Sequence, residues 1–183
     1  MAESSDRDLV VQTLQGDPEA YGALVRAYQT SVFNVCYRIL GNRRDAEDLT
    51  QDAFLRGYHH LERFDTDRPF GPWIRTLAAN LCYNHLNQAS PPSMPLFDEH
   101  DQPQKRALET PEEKMIKTEK RESILDALWQ LPPHHRIAIE LRHFQDLSYR
   151  EMADELDLPI NTVRSHLYRA RNKLAELLTA YEP

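Results

Sequence analysis

Hydrophobic residues along this chain recur at intervals of three and four, and no stretch sustains the strict alternation of a half-buried strand. An all-α fold is therefore expected. Leu9, Val10 and Leu14 mark a first helix that stops at Gly16. Asp17-Pro18 reads as an N-cap followed by proline in the first turn. Tyr21, Leu24, Val25, Tyr28, Val32, Val35 and Ile39 then hold one stripe up to Gly41. A third helix is expected over residues 43–61. A loop rich in Asp, Pro and Gly (residues 64–72) precedes a fourth, from Trp73 to Gln88.

The pattern then breaks. Pro91, Pro92, Pro95, Pro103 and Pro111 fall among polar residues, with Leu96 and Phe97 as the large apolar pair. Such a stretch neither continues a helix nor builds its own core. Residues 90–111 are expected to be a flexible linker between two small helical domains, 1–89 and 112–183, with Leu96 and Phe97 as an anchor onto a partner. Beyond it, Met115, Ile116, Ile124, Leu125, Leu128 and Leu131 define a helix that ends before Pro132-Pro133. Ile137, Ile139, Leu141 and Phe144 define the next.

The densest signal lies between Ser148 and Arg171. Ser148, with Glu151 three residues on, has the form of a capping box. Met152, Ala153 and Leu156 follow at helical spacing, and Pro159 stops that helix and opens another. Val163, Leu167 and Ala170 form the buried stripe of this last helix, so Arg164, Ser165, Tyr168, Arg169 and Arg171 fall outside it. Two short helices, a tight turn and a cationic second helix make a helix-turn-helix suited to the DNA major groove.

Charge sharpens this picture. A net charge of −7 argues against a protein that coats nucleic acid non-specifically. The charges are segregated, however. Residues 158–175 hold Arg164, Arg169, Arg171 and Lys173 and no carboxylate, and residues 68–97 hold Arg68 and Arg75 and again none. The acids gather at Asp45, Glu47, Asp48 and Asp52. Repulsion from an acidic body is screened beyond roughly 8 Å at physiological salt, so local cations still meet phosphate. Two nucleic-acid surfaces and a separate protein-docking face are expected.

Other classes recede. The N-terminus lacks the basic start and apolar core of a secretion signal. No run reaches the ~18 apolar residues of a membrane span, so a cytoplasmic protein without membrane insertion is expected. Cys36 and Cys82 sit among apolar neighbours and read as reduced, buried thiols. There is no Cys-x-x-Cys pair, and His59-His60 and His134-His135 are adjacent rather than four apart, so no metal or cofactor is expected. No Gly-rich phosphate loop or nucleophile–base pairing marks an enzyme.

Three motifs stand in order: Asp45-Ala-Glu-Asp-Leu-Thr-Gln-Asp-Ala-Phe54, Phe70-Gly-Pro-Trp73 and Thr162-Val-Arg-Ser-His-Leu-Tyr-Arg-Ala-Arg171, with the proline-rich spacer between the second and third. Together they resemble a bacterial RNA polymerase sigma factor of the extracytoplasmic-function group, which keeps only regions two and four. The resemblance implies a non-catalytic factor that binds core RNA polymerase and directs promoter-specific initiation. It would read the minus-ten element with the N-terminal domain and the minus-thirty-five element with the helix-turn-helix. Implied partners are the clamp coiled coil of the largest polymerase subunit, the flap of the second-largest, promoter DNA and an anti-sigma factor.

By that resemblance Asp45, Asp48, Gln51, Asp52 and Phe54 belong to the polymerase contact, where acids facing a basic partner steer association more than they add affinity. Phe64, Arg68, Phe70, Trp73, Arg75 and Asn80 match the element that reads the minus-ten strand. Aromatic rings, nearby positive charge and an amide are the groups that stacking and holding extruded bases require, although Phe70 and Trp73 also fit a plain core. Thr162, Arg164, Ser165, Tyr168, Arg169 and Arg171 match the minus-thirty-five readers, in which a guanidinium addresses guanine or clamps phosphate. One departure matters. The family continues the fourth helix with an acidic residue and two arginines where this chain has Asn84, Asn87 and Gln88, so weaker phosphate contact is expected at the upstream edge. The alternative is a polymerase-independent helix-turn-helix regulator, which leaves residues 45–73 without a purpose.

Overall fold

The computed structural model describes residues 5–89 and 122–179, and the regular elements among them are all helical. The proline-rich stretch, Leu96, Phe97, Met115 and Ile116 lie outside the described residues. Two compact units are present, residues 1–82 and 83–183.

In the first unit, α1 (Asp6–Leu14) opens on a capping box: the Asp8 N–H donates to the Ser5 hydroxyl at 3.3 Å, and the Ser5 N–H donates to the Asp8 carboxylate at 3.2 Å. Its buried side is Val10 and Thr13, while Leu14 is 44% exposed, contrary to the expected stripe. Thr13 can occupy the core because its hydroxyl donates to the Leu9 carbonyl at 2.7 Å. α2 (Pro18–Leu40) starts under the Asp17 carboxylate, which accepts from the Glu19 N–H at 2.9 Å. α3 (Arg43–His60) starts under the Asn42 side chain, which accepts from the Arg44 N–H at 2.9 Å. Leu24, Val32, Val35, Cys36 and Ile39 of α2, and Ala46, Leu49 and Ala53 of α3, are buried.

A single 3-10 turn (Leu61–Arg63) follows, and α4 (Phe70–Ala89) begins three residues before the expected start at Trp73. Pro72 does not delay it, because a first-turn N–H has no intrahelical partner to lose. The close approach of α4 to α3 depends on Gly57: a Cβ there would stand 2.8 Å from Ile74 Cδ1 and 2.9 Å from the Tyr21 hydroxyl. That hydroxyl donates to the Phe54 carbonyl, and burial pushes the phenol pKa above its ordinary range.

In the second unit, residues 122–129 form α5, followed by α6 (Pro133–Ile139), a π turn (Glu140–Phe144), α7 (Tyr149–Leu156) and α8 (Ile160–Thr179). The helix expected through Phe144 thus widens in its last turn. That widening accompanies a buried polar pair, in which Gln145 Nε2 donates to Glu140 Oε1 at 2.9 Å. Ile137, Leu141, Met152, Leu156, Val163, Leu167 and Ala170 make the core. Cys36 and Cys82 are buried, and neither is in a disulfide. Among the described residues no helix is long and apolar enough to cross a membrane.

Candidate polymerase and promoter surfaces

On α3, buried Ala46, Leu49, Ala53 and Gly57 define the inner side. Asp48, Gln51 and Asp52 are exposed and Asp45 is half-buried. Phe54 corrects the expectation: it is 6% exposed, so its ring belongs to the core. The apolar groups on the outer face are instead Leu55, 59% exposed, and Tyr58, 47% exposed. Leu55 stands seven residues after Asp48 and Tyr58 seven after Gln51, which places them on that face. The sequence signal was available, since Leu55 falls off the stripe of Ala46, Leu49, Ala53 and Gly57. A shallow depression lined by Gln29, Thr30, Phe33, Glu47, Thr50 and Gln51 adjoins the face.

On α4, Trp73 is the half-buried member of an aromatic cluster. Its ring centroid lies 4.7 Å from that of Phe64 and 5.5 Å from that of Phe70. Phe64 and Phe70 are 9% and 1% exposed, so they back Trp73 rather than present rings to solvent. Half-buried Leu77 and Asn80 follow at four and seven residues and share the Trp73 face. Arg75 does not share it. Two positions on, it turns about 200° round the helix and lies beside Tyr28. Its Nη1 is 3.2 Å, and Tyr28 Cε1 2.6 Å, from where a Cβ of Gly71 would stand. Arg68, in the preceding loop, is exposed and 3.7 Å from Asp65. Asn84 and Gln88 are exposed and Asn87 is half-buried.

The helix-turn-helix is set by local bonds. The Ser148 N–H donates to Glu151 Oε2 at 2.7 Å, completing the capping box of α7. Asp157 ends α7 in the left-handed region at φ 51°, and the Leu158 N–H reaches the Ala153 carbonyl at 3.0 Å. A short polar side chain tolerates that conformation. The Pro159 carbonyl then accepts from the Thr162 and Val163 N–H groups at 2.8 and 3.2 Å.

This turn presents Arg164, Ser165, Tyr168 and Arg169 to solvent, with Tyr168 69% exposed. Arg171 is exposed but tied back: its guanidinium reaches the Tyr149 hydroxyl and His143 Nε2, each at 3.5 Å. Thr162 is half-buried. Asn161 and Asn172 complete the outer face, seven residues from Tyr168 and Ser165 respectively. Charge counting passes over asparagine, yet a first-turn position on a groove-bound helix is itself a signal.

His166 turns inward. Its ring lies 5.9 Å from His134 and 5.5 Å from His135, and Nδ1 of both His135 and His166 is buried without a hydrogen-bond partner. Burial holds all three imidazoles below the usual histidine range, and Arg169 and the neighbouring rings deepen the effect at His135 and His166.

Sigma-70 region 2 matches residues 24–91 and sigma-70 region 4 matches residues 121–174. The RNA polymerase sigma-H factor of Pseudomonas aeruginosa is 32% identical, over 97% of this chain and 96% of its own length. The ECF RNA polymerase sigma-E factor of Haemophilus influenzae is 33% identical, over 97% of this chain and all (100%) of its own. Among solved structures, CnrH in complex with the cytosolic domain of CnrY has the same fold, with a TM-score of 0.60 at 24% identity, covering 98% of this chain and 100% of that one. RpoE of Bartonella quintana, in complex with the anti-sigma factor NepR, gives 0.57 at 22% identity over 87% and 96% of the two chains. With both regions matched in order and full-length relatives above 30% identity, the chain belongs to the extracytoplasmic-function family of RNA polymerase sigma factors.

Proposed function

We propose that the protein docks on core RNA polymerase through the outer face of α3, holds the melted minus-ten strand against α4, and lays α8 in the major groove of the minus-thirty-five element. The observation that supports this most is the separation of three exposed faces of different chemistry. The α3 face joins Asp45, Asp48, Gln51 and Asp52 to Leu55 and Tyr58, carboxylates for steering and apolar area for affinity. Its partner is the clamp coiled coil of the largest subunit; the flap of the second-largest receives the C-terminal unit.

On α4, Trp73 stacks on an unpaired base, Asn80 holds an extruded one and Arg68 meets phosphate, with Phe64, Phe70 and Arg75 as support. On α8, Asn161, Arg164, Ser165, Tyr168 and Arg169 face the duplex, while Thr162 and Arg171 fix the helix. Residues 1–89 and 112–183 act as separate domains joined by 90–111, as their composition favours. The likeness to RpoE, which is bound by NepR, supports an anti-sigma partner here too. The protein works in the cytoplasm and does no chemistry of its own, since RNA synthesis belongs to the polymerase.

Run-off transcription with purified core polymerase tests this reading. Asp48→Lys, Trp73→Ala and Arg164→Ala should each reduce specific transcript, the first by weakening core binding alone. Wild-type output from all three variants refutes the assignment. Tight binding of the chain alone to duplex promoter, with no polymerase-dependent transcript, would favour the polymerase-independent regulator.

A further inference from the structure

α1 precedes the region 2 match, which begins at residue 24, yet it is bonded to the support of the α4 reading face. The Tyr28 hydroxyl donates to the Asp6 carboxylate in the first turn of α1. The Tyr28 ring lies 5.6 Å from Phe70, whose ring lies 5.5 Å from Trp73. The ring also fills the space over Gly71, where a Cβ would stand 2.6 Å from it, and Arg75 closes the same space. The next residue of α1, Arg7, reaches the loop before α4, 3.4 Å from Asp67. The phenol is pushed up to about 12, by burial first and the Asp6 bond second, and so remains a donor across the physiological range.

We infer that Asp6 and Tyr28 form a brace, joined to α4 through Phe70, Gly71 and Arg75, that sets the position of Trp73. Tyr28 is thus a positioning residue for minus-ten recognition, and the inference rests on the reading of Trp73 proposed above. A phenol anchored at its hydroxyl cannot swing away from Phe70. Released, it leaves the first turn of α4 free to shift against α2, and small misplacements of a recognition group are costly. Arg75 belongs to this support rather than to the DNA face.

The test uses the full chain with core polymerase, on a duplex promoter and on one mismatched across the start region. Asp6→Ala and Tyr28→Phe should each lower transcription about tenfold, the scale of one charge-assisted hydrogen bond. The defect should persist on the mismatched template. The double variant should be no worse than either single one, and Asp6→Asn, whose amide oxygen still accepts the phenol proton, should restore most activity. In a Trp129→Phe background, Trp73 emission should become more open to acrylamide in Asp6→Ala and Tyr28→Phe but not in Asp6→Asn. Core affinity should not move in any of them.

If Trp73→Ala is defective while Asp6→Ala and Tyr28→Phe match wild type, the brace is wrong and the reading of Trp73 survives. If Trp73→Ala is fully active, both fall. Equal loss of core affinity and melting temperature in all the Asp6 and Tyr28 variants, Asp6→Asn included, would show a merely structural contact and overturn the inference.

Discussion

Phe54 and Leu55 are neighbours on α3 whose side chains diverge by about 100°, and substituting each in turn tests the proposed docking face from both sides. Phe54 is 6% exposed, and truncating a buried phenylalanine to alanine costs about 3–5 kcal/mol. In a domain of this size each kcal/mol shifts the melting temperature by about 4–8 °C. Phe54→Ala should therefore lower it by roughly 12–40 °C. Leu55→Ala exchanges one good helix former for another at an exposed site, so stability should change by less than about 0.5 kcal/mol.

At the polymerase the order reverses. Leu55 still offers 59% of its surface, and fully burying a leucine is worth about 1.5–3 kcal/mol, so covering the remainder contributes about 1–2 kcal/mol. That is about five- to thirtyfold in Kd. Thermal melts by circular dichroism, and titration of labelled protein with core polymerase at a temperature where both variants are folded, separate the two effects. Wild-type core affinity in Leu55→Ala, together with a core-binding defect but an unchanged melt in Phe54→Ala, would place the Phe54 ring at the interface and refute the packing argument.

Two further outcomes follow from the second half of the chain. His134, His135, His143 and His166 are all held below the usual histidine range, by burial first, with Arg169 beside His135 and His166, and Arg171 and Arg142 (opposed by Asp146) beside His143. The unfolded chain then binds more protons than the folded one below about pH 6.5, so this unit should lose stability as pH falls through that range. Melts at about pH 8 and about pH 5.5 check the sign, His166→Gln should flatten the slope, and a melting temperature that rises on acidification refutes it. Limited proteolysis should cut first within residues 90–111, because proline-rich polar composition marks preferred nicking sites; first cuts inside α2 or α3 would count against the two-domain reading.

What the sequence disclosed is what short-range chemistry fixes. The helix-turn-helix could be read residue by residue because a capping box, one proline and one apolar stripe specify it locally, and the bonds at Ser148, Glu151 and Pro159 follow. Thr13 in place of Leu14 was not legible, since a threonine enters a core only when its hydroxyl finds a carbonyl. The π turn at Glu140 was hidden for a similar reason: a buried carboxylate needs Gln145 as partner, and no periodicity announces the pair. The side of α4 on which Arg75 lies was not legible, because α4 is buried over most of its circumference and a carboxylate-free window tells charge but not face. Phe54 and Leu55 show the limit of counting apolar residues. One position along a helix is about 100°, enough to move a ring from a partner's surface into the core.

The charge pattern explains why such a protein should need its polymerase. Among the cations of α8, Arg171 is engaged with Tyr149 and His143, and Lys173 pairs with Glu176 at 3.1 Å. Arg164 and Arg169 are the other exposed guanidinium groups of α8, on the side proposed to face the groove. Each phosphate neutralised contributes about −0.9 to the slope of log affinity against log salt in duplex DNA, so two such contacts give a slope near about −2, far short of a tight autonomous binder. A body with net charge −7 reduces stray binding further. On the docking proposed above, affinity for a promoter comes from linkage, with α3 held on the polymerase and α8 confined near its element at high effective concentration. The salt dependence of binding by the isolated second unit measures this directly: a slope steeper than about −5 would mean that α8 needs no help from the polymerase.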